Sequence, residues 1–330
     1  MTQPATSTAS PFQFVEEAPW ESGFAEIFDA DVAPHLPVLE QRWRMAAQRR
    51  WTKLSVGAAL IVAIWGGLWA TGLYQNTIAL FAAGLTSLVV FDLLLRRTYG
   101  DRESPARRMR EFLIQAVCHR VEGLTYQTIA GRRINSDRFV FMRLIPAHDT
   151  LVTGDFFSGE RQDLIFRAVE VDIRSQGRTC IFRGLLVEIE TGRETGAPTA
   201  ILQHTSTSPQ HDDEKALEIS GHPAFRHLYR VRADDPDDAL GLLSDSMMTA
   251  LTRLPEQLHD AAVQIGFMAG TMMIAVPLPD DPRDATSPPE RRFDPVGDAR
   301  LMLKQVMMPA SIIDTMHGID PDTGGRYRAR

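Results

Sequence analysis

Two apolar runs dominate the chain. Leu54 to Tyr74 carries no charge, Thr77 to Leu95 carries only Asp92, and Gln75 and Asn76 alone separate them. At about 1.5 Å rise per residue each run extends across the roughly 30 Å hydrocarbon core of a bilayer. Neither shows the polar face of a long helix on a globular surface. The pattern therefore predicts a two-helix transmembrane hairpin over residues 54–95. Ala63 with Gly67, and Ala79 with Ala83 and Ser87, place small residues at spacing four, which lets helices approach closely. Asp92 lies within a turn of the run's end and four residues before Arg96, a spacing that suits pairing.

The periods on either side differ. Residues 36–53, with Leu39, Trp43 and Ala46 recurring at spacing three or four, read as a juxtamembrane helix entering the hairpin. Residues 96–125 hold a basic amphipathic helix, with Met109, Phe112, Leu113, Ala116, Val117, Val121 and Leu124 on one face. From about Leu151 the period becomes two. Val169, Val171 and Ile173 alternate with Glu170 and Asp172, and Leu185, Val187 and Ile189 alternate with Glu188 and Glu190, the signature of half-buried strands. Ser175 to Arg178 reads as their connection. Further strands are expected at Thr199 to His204, Ala216 to Ile219 and Phe225 to Ala233, and a last hairpin at Val263 to Phe267 and Thr271 to Val276 around Ala269-Gly270. Helices are expected over Asp234 to Leu243 and Ser244 to Leu258, and from Asp298, the last bent or broken near Pro309.

The fold class expected is thus a two-helix transmembrane hairpin plus a soluble α+β domain with an antiparallel curved sheet and flanking helices, for which a pleckstrin-homology barrel is one arrangement. In domain terms, residues 1–35 form an acidic, mostly irregular segment, 126–317 the cytosolic α+β domain and 318–330 a disordered tail.

Charge sets the orientation. The net charge of −7 hides an asymmetry, since residues 1–41 contain Glu16, Glu17, Glu21, Glu26, Asp29, Asp31 and Glu40 but no Lys or Arg. Arg49, Arg50 and Lys53 precede the first run and Arg96 and Arg97 follow the second, so the positive-inside rule puts both termini in the cytoplasm with these side chains at the membrane interface. Two distant cysteines, Cys118 and Cys180, give neither a disulfide framework nor a thiolate zinc site.

Candidate chemistry is sparse. The chain contains no phosphate-binding loop, no H-E-x-x-H, no G-x-S-x-G and no G-x-G-x-x-G, and no metal, cofactor or nucleic acid is expected. Glu170, Asp172, Glu188 and Glu190 form an acidic sheet face if their strands pair, either an acid–base or cation site or a solvated surface. Arg183 either contacts an anion or partner or pairs with one of those carboxylates, and Arg226, Arg230 and Arg232 are further candidate contacts. Gly184 reads as a site of close backbone approach. His204, His211, Asp212, Asp213 and Glu214 read as a flexible acidic loop rather than a ligand set. Cys118 next to His119 is not a catalytic pair, because helical neighbours point about 100° apart, and His227 reads as a core histidine on the apolar face of its strand.

Phe24-Ala-Glu-Ile-Phe with Leu39-Glu-Gln-Arg, the strand Ile181-Phe-Arg-Gly-Leu-Leu-Val, and the block Phe225 to Leu258 followed by the Val263 to Val276 hairpin and a final helix near Ile313-Asp314 resemble, in that order, the bacterial domain of unknown function 3137. The resemblance extends over residues 24–316 and implies no catalytic residues, because the family has no established activity. Residues 205–215 look like a local insertion. The expected function is a binding or scaffold module anchored at the bacterial inner membrane, in contact with the lipid bilayer and with a protein partner or a second copy of itself. An enzyme using the sheet-face carboxylates and an accessory subunit of a membrane complex are the alternatives.

Overall fold

The computed structural model describes residues 12–72, 75–99, 105–120, 124–127, 134–175, 179–192, 195–204, 216–258, 261–278 and 293–319. The chain divides into two compact units. One comprises residues 1–14, 25–116 and 282–299, and the other residues 15–24, 117–281 and 300–330.

The first unit is helical. After the short turn α1 (Phe24–Ile27), α2 (Leu36–Ala70) and α3 (Thr77–Tyr99) form a hairpin, and α4 (Pro105–Arg120) follows. Small residues let α2 and α3 meet: Ala83 is buried, and the Trp65 indole donates to Ser87 Oγ at 3.3 Å. α2 ends because Gly72 takes φ +72°, and the Thr71 hydroxyl donates to the Gly67 carbonyl. α3 starts on the Asn76 side chain, which accepts from the Ile78 N–H at 3.0 Å. Aromatic contacts tie in distant segments, with Trp43 5.8 Å from Phe293 and Phe14 5.4 Å from Phe28.

This corrects the transmembrane hairpin over residues 54–95, because among the described residues no helix is long and apolar enough to cross a membrane. The charge-free run Leu54 to Tyr74 is not one helix. α2 begins at Leu36, gives its first half to Glu40, Arg42 and Arg44, and stops at Ala70. From Ser55 to Ala70 it rises about 24 Å, and α3 rises about 22 Å before Asp92, both short of roughly 30 Å.

The second unit is built on an eight-stranded antiparallel sheet in the order β1-β2-β3-β4-β8-β7-β5-β6. Its strands are β1 (Thr125–Gln127), β2 (Thr150–Arg161), β3 (Leu164–Ser175), β4 (Thr179–Glu190), β5 (Thr199–Gln203), β6 (Tyr229–Ala233), β7 (Gln264–Met268) and β8 (Thr271–Pro277). β1 and β6 stand at opposite edges, so the sheet is open and a pleckstrin-homology barrel is excluded. Residues directly opposite in an antiparallel pair share a face, which sorts the side chains. Val169, Val171 and Ile173 share a face with Phe156 and Leu186, and the short helix α5 (Ser136–Phe141) and its exit cover that face with Phe139, Met142 and Leu144. The opposite face carries Phe157, Leu185, Val187, Ile189, Ile274, Ile265 and Ile201.

Helix α8 (Asp245–Gln257) lies on this second face through Tyr229, a buried residue whose hydroxyl donates to the Leu251 carbonyl at 3.1 Å. Pro255 explains the bond. It has no N–H, so the Leu251 carbonyl loses its helical donor four residues on, and Tyr229 supplies one. Burial pushes the phenol pKa up, which keeps the hydroxyl protonated. α7 (Pro236–Leu242) and α8 start as their sequences suggest, on Asp235 and Ser244, whose side chains accept from backbone amides. α9 (Pro295–Met316) continues through Pro309 instead of breaking there, with Ala310, Ile312 and Ile313 buried beyond it.

Two strands expected from the sequence are absent or shortened. Phe225 lies in helix α6 (Pro223–Leu228), led by Pro223, and only Tyr229 to Ala233 alternates. Phe225 and Tyr229 are one helical turn apart, with ring centroids at 5.3 Å. Ala216 to Ile219 contributes a single bridge, Leu217 to Val231.

Replacing Tyr229 with Phe is expected to cost about 1–2 kcal/mol, since it leaves a buried carbonyl without a donor. In a chain that also carries Pro255→Ala, which restores the helical N–H, the same change is expected to cost clearly less. A double-mutant cycle in urea reads the coupling.

Candidate functional site

The strand Ile181 to Val187 explains its own sequence. Phe182 and Gly184 lie on the face covered by α5, and Arg183 lies on the opposite face. A Cβ at residue 184 would sit 2.3 Å from the Val276 carbonyl and 2.6 Å from the Phe182 ring. Gly184 is therefore required where β4 closes on β8, and the Phe182 ring fills the space a side chain would take. Arg183 reaches Glu170 across the strands at 3.6 Å.

The four acidic candidates do not share a face. Asp172 opposes Arg183 and Glu170 opposes Leu185, which places both on the α8 face, whereas Glu188 opposes Arg167 on the α5 face, and Glu190, two residues on, joins it. Period two put all four at alternating positions, but register decides which face each strand turns to its neighbour.

Each carboxylate meets a guanidinium. Asp172 binds Arg174 at 2.6 Å, Glu170 binds Arg183, Glu190 binds Arg167 at 2.7 Å, and Glu188 lies 3.8 Å from Arg138. Arg138 also donates to the Met268 carbonyl at 3.0 Å, which holds α5 over the sheet. A fifth acid, Asp155, is buried and accepts from the Tyr126 hydroxyl at 2.7 Å. It sits in the irregular stretch between Thr153 and Phe156, where Gly154 leaves room for the Glu170 side chain.

The pairs respond oppositely to their surroundings. The hydrogen bond from Arg174 holds the Asp172 carboxyl below its usual range, against the effect of burial. Burial raises the Glu188 carboxyl, and Arg138 and Arg167 only partly offset this. The arrangement supplies paired, structural charges on two sides of one sheet. Among the described residues these four carboxylates do not converge unpaired, as two-carboxylate acid–base chemistry requires.

Among the described residues no group of three or more His, Cys, Asp or Glu is placed to hold a metal ion. Residues 205–215, and with them His211, Asp212, Asp213 and Glu214, lie outside the described residues, while His204 donates its backbone N–H to Leu228. Arg226 is exposed on α6 rather than on a strand, and its neighbour His227 is exposed as well, not in the core. Arg230 and Arg232 share the α5 face of edge strand β6, opposite Leu202 and Ala200. Arg49, Arg50 and Lys53 belong to α2, and Arg96 and Arg97 to α3, with side chains outside the described part. Cys118 is half-buried, and burial raises its thiol to about 11, which keeps it protonated and unreactive.

The sequence reading missed Arg138, Arg167, Arg174, Asp155 and Tyr126. Arg167 and Arg174 had a signal, since each flanks the alternating run in β3. Asp155 had none, because a bulge hides it.

Two tests follow from this geometry. Gly184→Ala is expected to cost about 2–3 kcal/mol, because β4 and β8 must separate to admit a methyl group; chemical denaturation measures it. The pH dependences of Glu188→Gln and Asp172→Asn should oppose each other. A raised carboxyl destabilises the fold as pH climbs past the ordinary glutamate value of about 4.3, so Glu188→Gln gains on the parent from there to neutrality. A lowered carboxyl stabilises above the ordinary aspartate value of about 3.9, so Asp172→Asn is the weaker protein at pH 7 and draws level in acid. Thermal melts from pH 3 to 8 check both.

Comparison with known proteins adds little beyond family. Among curated proteins none matches significantly. Among solved structures, the crystal structure of the mycobacterial trehalose monomycolate transport factor A, TtfA, is similar at a TM-score of 0.32 and 12% identity. The likeness covers 64% of this chain and 96% of that one, and at that score it bears on neither fold nor function. Residues 180–316, from β4 to the end of α9, match the family model described as protein of unknown function (DUF3137).

Proposed function

We propose that the chain is a binding or scaffold module held against a lipid bilayer by the exposed apolar side chains of α2 and α3, without crossing it. The observation that carries this reading is the surface of the hairpin. Ile78, Phe81, Leu85 and Leu88 recur at spacings three and four along α3, on the side away from Ala83 and Ser87, and all are exposed, Phe81 to 78%. On α2, Val56, Leu60, Trp65 and Trp69 are exposed too, Trp69 to 76%. Apolar side chains in contiguous stripes on a globular surface mark a contact. The α3 stripe, together with the exposed indole of Trp69 on α2, suits an interfacial lipid environment, where an indole keeps an apolar body and a polar N–H satisfied together.

The sheet unit favours binding over catalysis, because Glu170, Asp172, Glu188 and Glu190 are each engaged by arginine. The two cysteines are free, in keeping with the cytosolic face of a bacterial inner membrane.

Flotation of the full chain with phosphatidylglycerol-containing vesicles tests the proposal. Recovery in the lipid fraction is expected, and joint replacement of Trp69, Ile78, Phe81 and Leu88 by Ser is expected to lower the partition coefficient at least ~100-fold, at about 1 kcal/mol for each side chain. A parent chain that stays at the bottom of the gradient, or a variant that floats equally well, refutes it. A catalytic role for the sheet carboxylates predicts instead that Glu170→Gln with Glu188→Gln abolishes function while the variant stays folded.

A further inference from the structure

Buried charge in this chain is engaged internally. Glu21, fully buried near the start of the chain, accepts from Arg300 Nε at 2.6 Å, and the buried Asp314 accepts from Arg161 through both oxygens, at 2.9 and 2.7 Å. The hairpin of α2 and α3 differs. It presents apolar side chains to solvent, and they are not spread evenly around it.

Three of the five tryptophans, Trp51, Trp65 and Trp69, lie on α2 and are exposed, Trp51 to 64%. Trp69 follows Trp51 by 18 residues, and five turns of about 3.6 residues bring the two side chains out in one direction. Ser55, Ala58, Val62 and Trp65 fall between them at spacings of four and three, all exposed. One stripe therefore runs about 27 Å along α2. Trp65 carries it onto α3, because its indole meets Ser87, and Leu80 and Phe91, two turns before Ser87 and one turn after, are exposed as well. Leu60, midway between Trp51 and Trp69, points the opposite way. Trp43 lies off the stripe, with its ring against Phe293.

The indole N–H groups divide in the same manner. That of Trp65 is satisfied by Ser87, whereas those of Trp51 and Trp69 have no partner among the described residues. An indole at a bilayer surface finds acceptors only in the layer of headgroups and ester carbonyls, with its ring against the acyl chains. Two free indoles at opposite ends of one straight stripe reach that layer together when the stripe lies along it. With α2 on end they would stand about 27 Å apart in depth. As the hairpin does not cross the bilayer, one N–H would then enter hydrocarbon or one ring would stay in water.

We infer that the hairpin lies flat in the bilayer interface, with α2 parallel to the membrane plane and the stripe from Trp51 to Trp69 turned to the lipid. This rests on the lipid contact proposed above and adds to it a contact face, a depth and a ligand group, the ester and headgroup oxygens that accept from Trp51 and Trp69. Leu60 and its side of α2 face away from the acyl chains.

Two measurements on the full chain bound to phosphatidylglycerol-containing vesicles test the orientation. In chains that keep only Trp51 or only Trp69, the other tryptophans being replaced by Phe, quenching by lipids brominated at shallow or deep acyl positions should place the two rings at depths that agree to within about 10 Å, at the headgroup–acyl boundary. A larger difference overturns the proposal. The second measurement uses the parent tryptophans. Ala58 lies in the stripe, and Ala63, at nearly the same height, lies about 120° round α2 from Trp51; both are exposed. Ala58→Glu is expected to lower the partition coefficient at least ~10-fold, because it drives a carboxylate toward hydrocarbon, and Ala63→Glu to leave it within about 2-fold of the parent. Equal effects of the two substitutions, in chains with unchanged circular dichroism, overturn the flat orientation. A parent chain that does not float refutes the lipid contact itself, whereas a floating parent with unequal ring depths or equal substitution effects refutes the orientation alone.

Discussion

The pairing of β4 with β8 is the constraint on which the rest of the sheet unit depends. It joins the meander β2-β3-β4 to the block β8-β7-β5-β6, and it brings Gly184 into register with Pro277 and Leu185 with Val276, residues remote in sequence. Gly184 makes the approach feasible at its tightest point. Both faces of the sheet inherit their composition from this register, because it decides that Leu185, Val187 and Ile189 face α8 while Leu186 and Glu188 face α5. A slip of one residue would exchange apolar and charged side chains between faces. The Arg183–Glu170 and Arg167–Glu190 pairs follow from the register of β3 on β4.

Those pairs show why charge in this domain is structural. Glu170 and Glu188 are buried, where an unpaired carboxylate is costly, whereas Asp172 is partly covered and Glu190 lies nearer the surface. Arginine meets each of them, from a neighbouring strand for Glu170 and Glu190, from two residues along for Asp172, and from α5 for Glu188. The contrast between Asp172, stabilised as an anion, and Glu188, penalised as one, reflects the deeper burial of Glu188 together with how closely each guanidinium approaches. A bond of 2.6 Å outweighs burial, and a separation of 3.8 Å does not.

Much of the sheet was legible in the sequence, because period-two alternation with β-branched residues is a local signal. β3, β4, β7 and β8 stand where the alternation places them, and Ala269-Gly270 marks their turn, with φ of +50° and +71°. Longer-range information was not legible. Phe225 and Tyr229 satisfy a strand pattern and a helical one together, and Pro223 decides for the helix. The division of the acidic residues between two faces needs register, which no single strand carries. The apolar runs of the hairpin were read as uninterrupted helices, but Gly72, with its positive φ, ends the first before its apolar run does, and the charged half of α2 belongs to the same helix as the apolar half. The Glu21–Arg300 pair was invisible, because its partners lie 279 residues apart, and the segment 1–35 reads as irregular by its prolines.

That separation also orders events in time. Arg300 leaves the ribosome 279 residues after Glu21, so at roughly 5–20 residues per second the acidic arm waits on the order of 15–60 s for its guanidinium. During synthesis the arm is available to any other basic surface, and it is fastened only after every strand of the sheet has emerged.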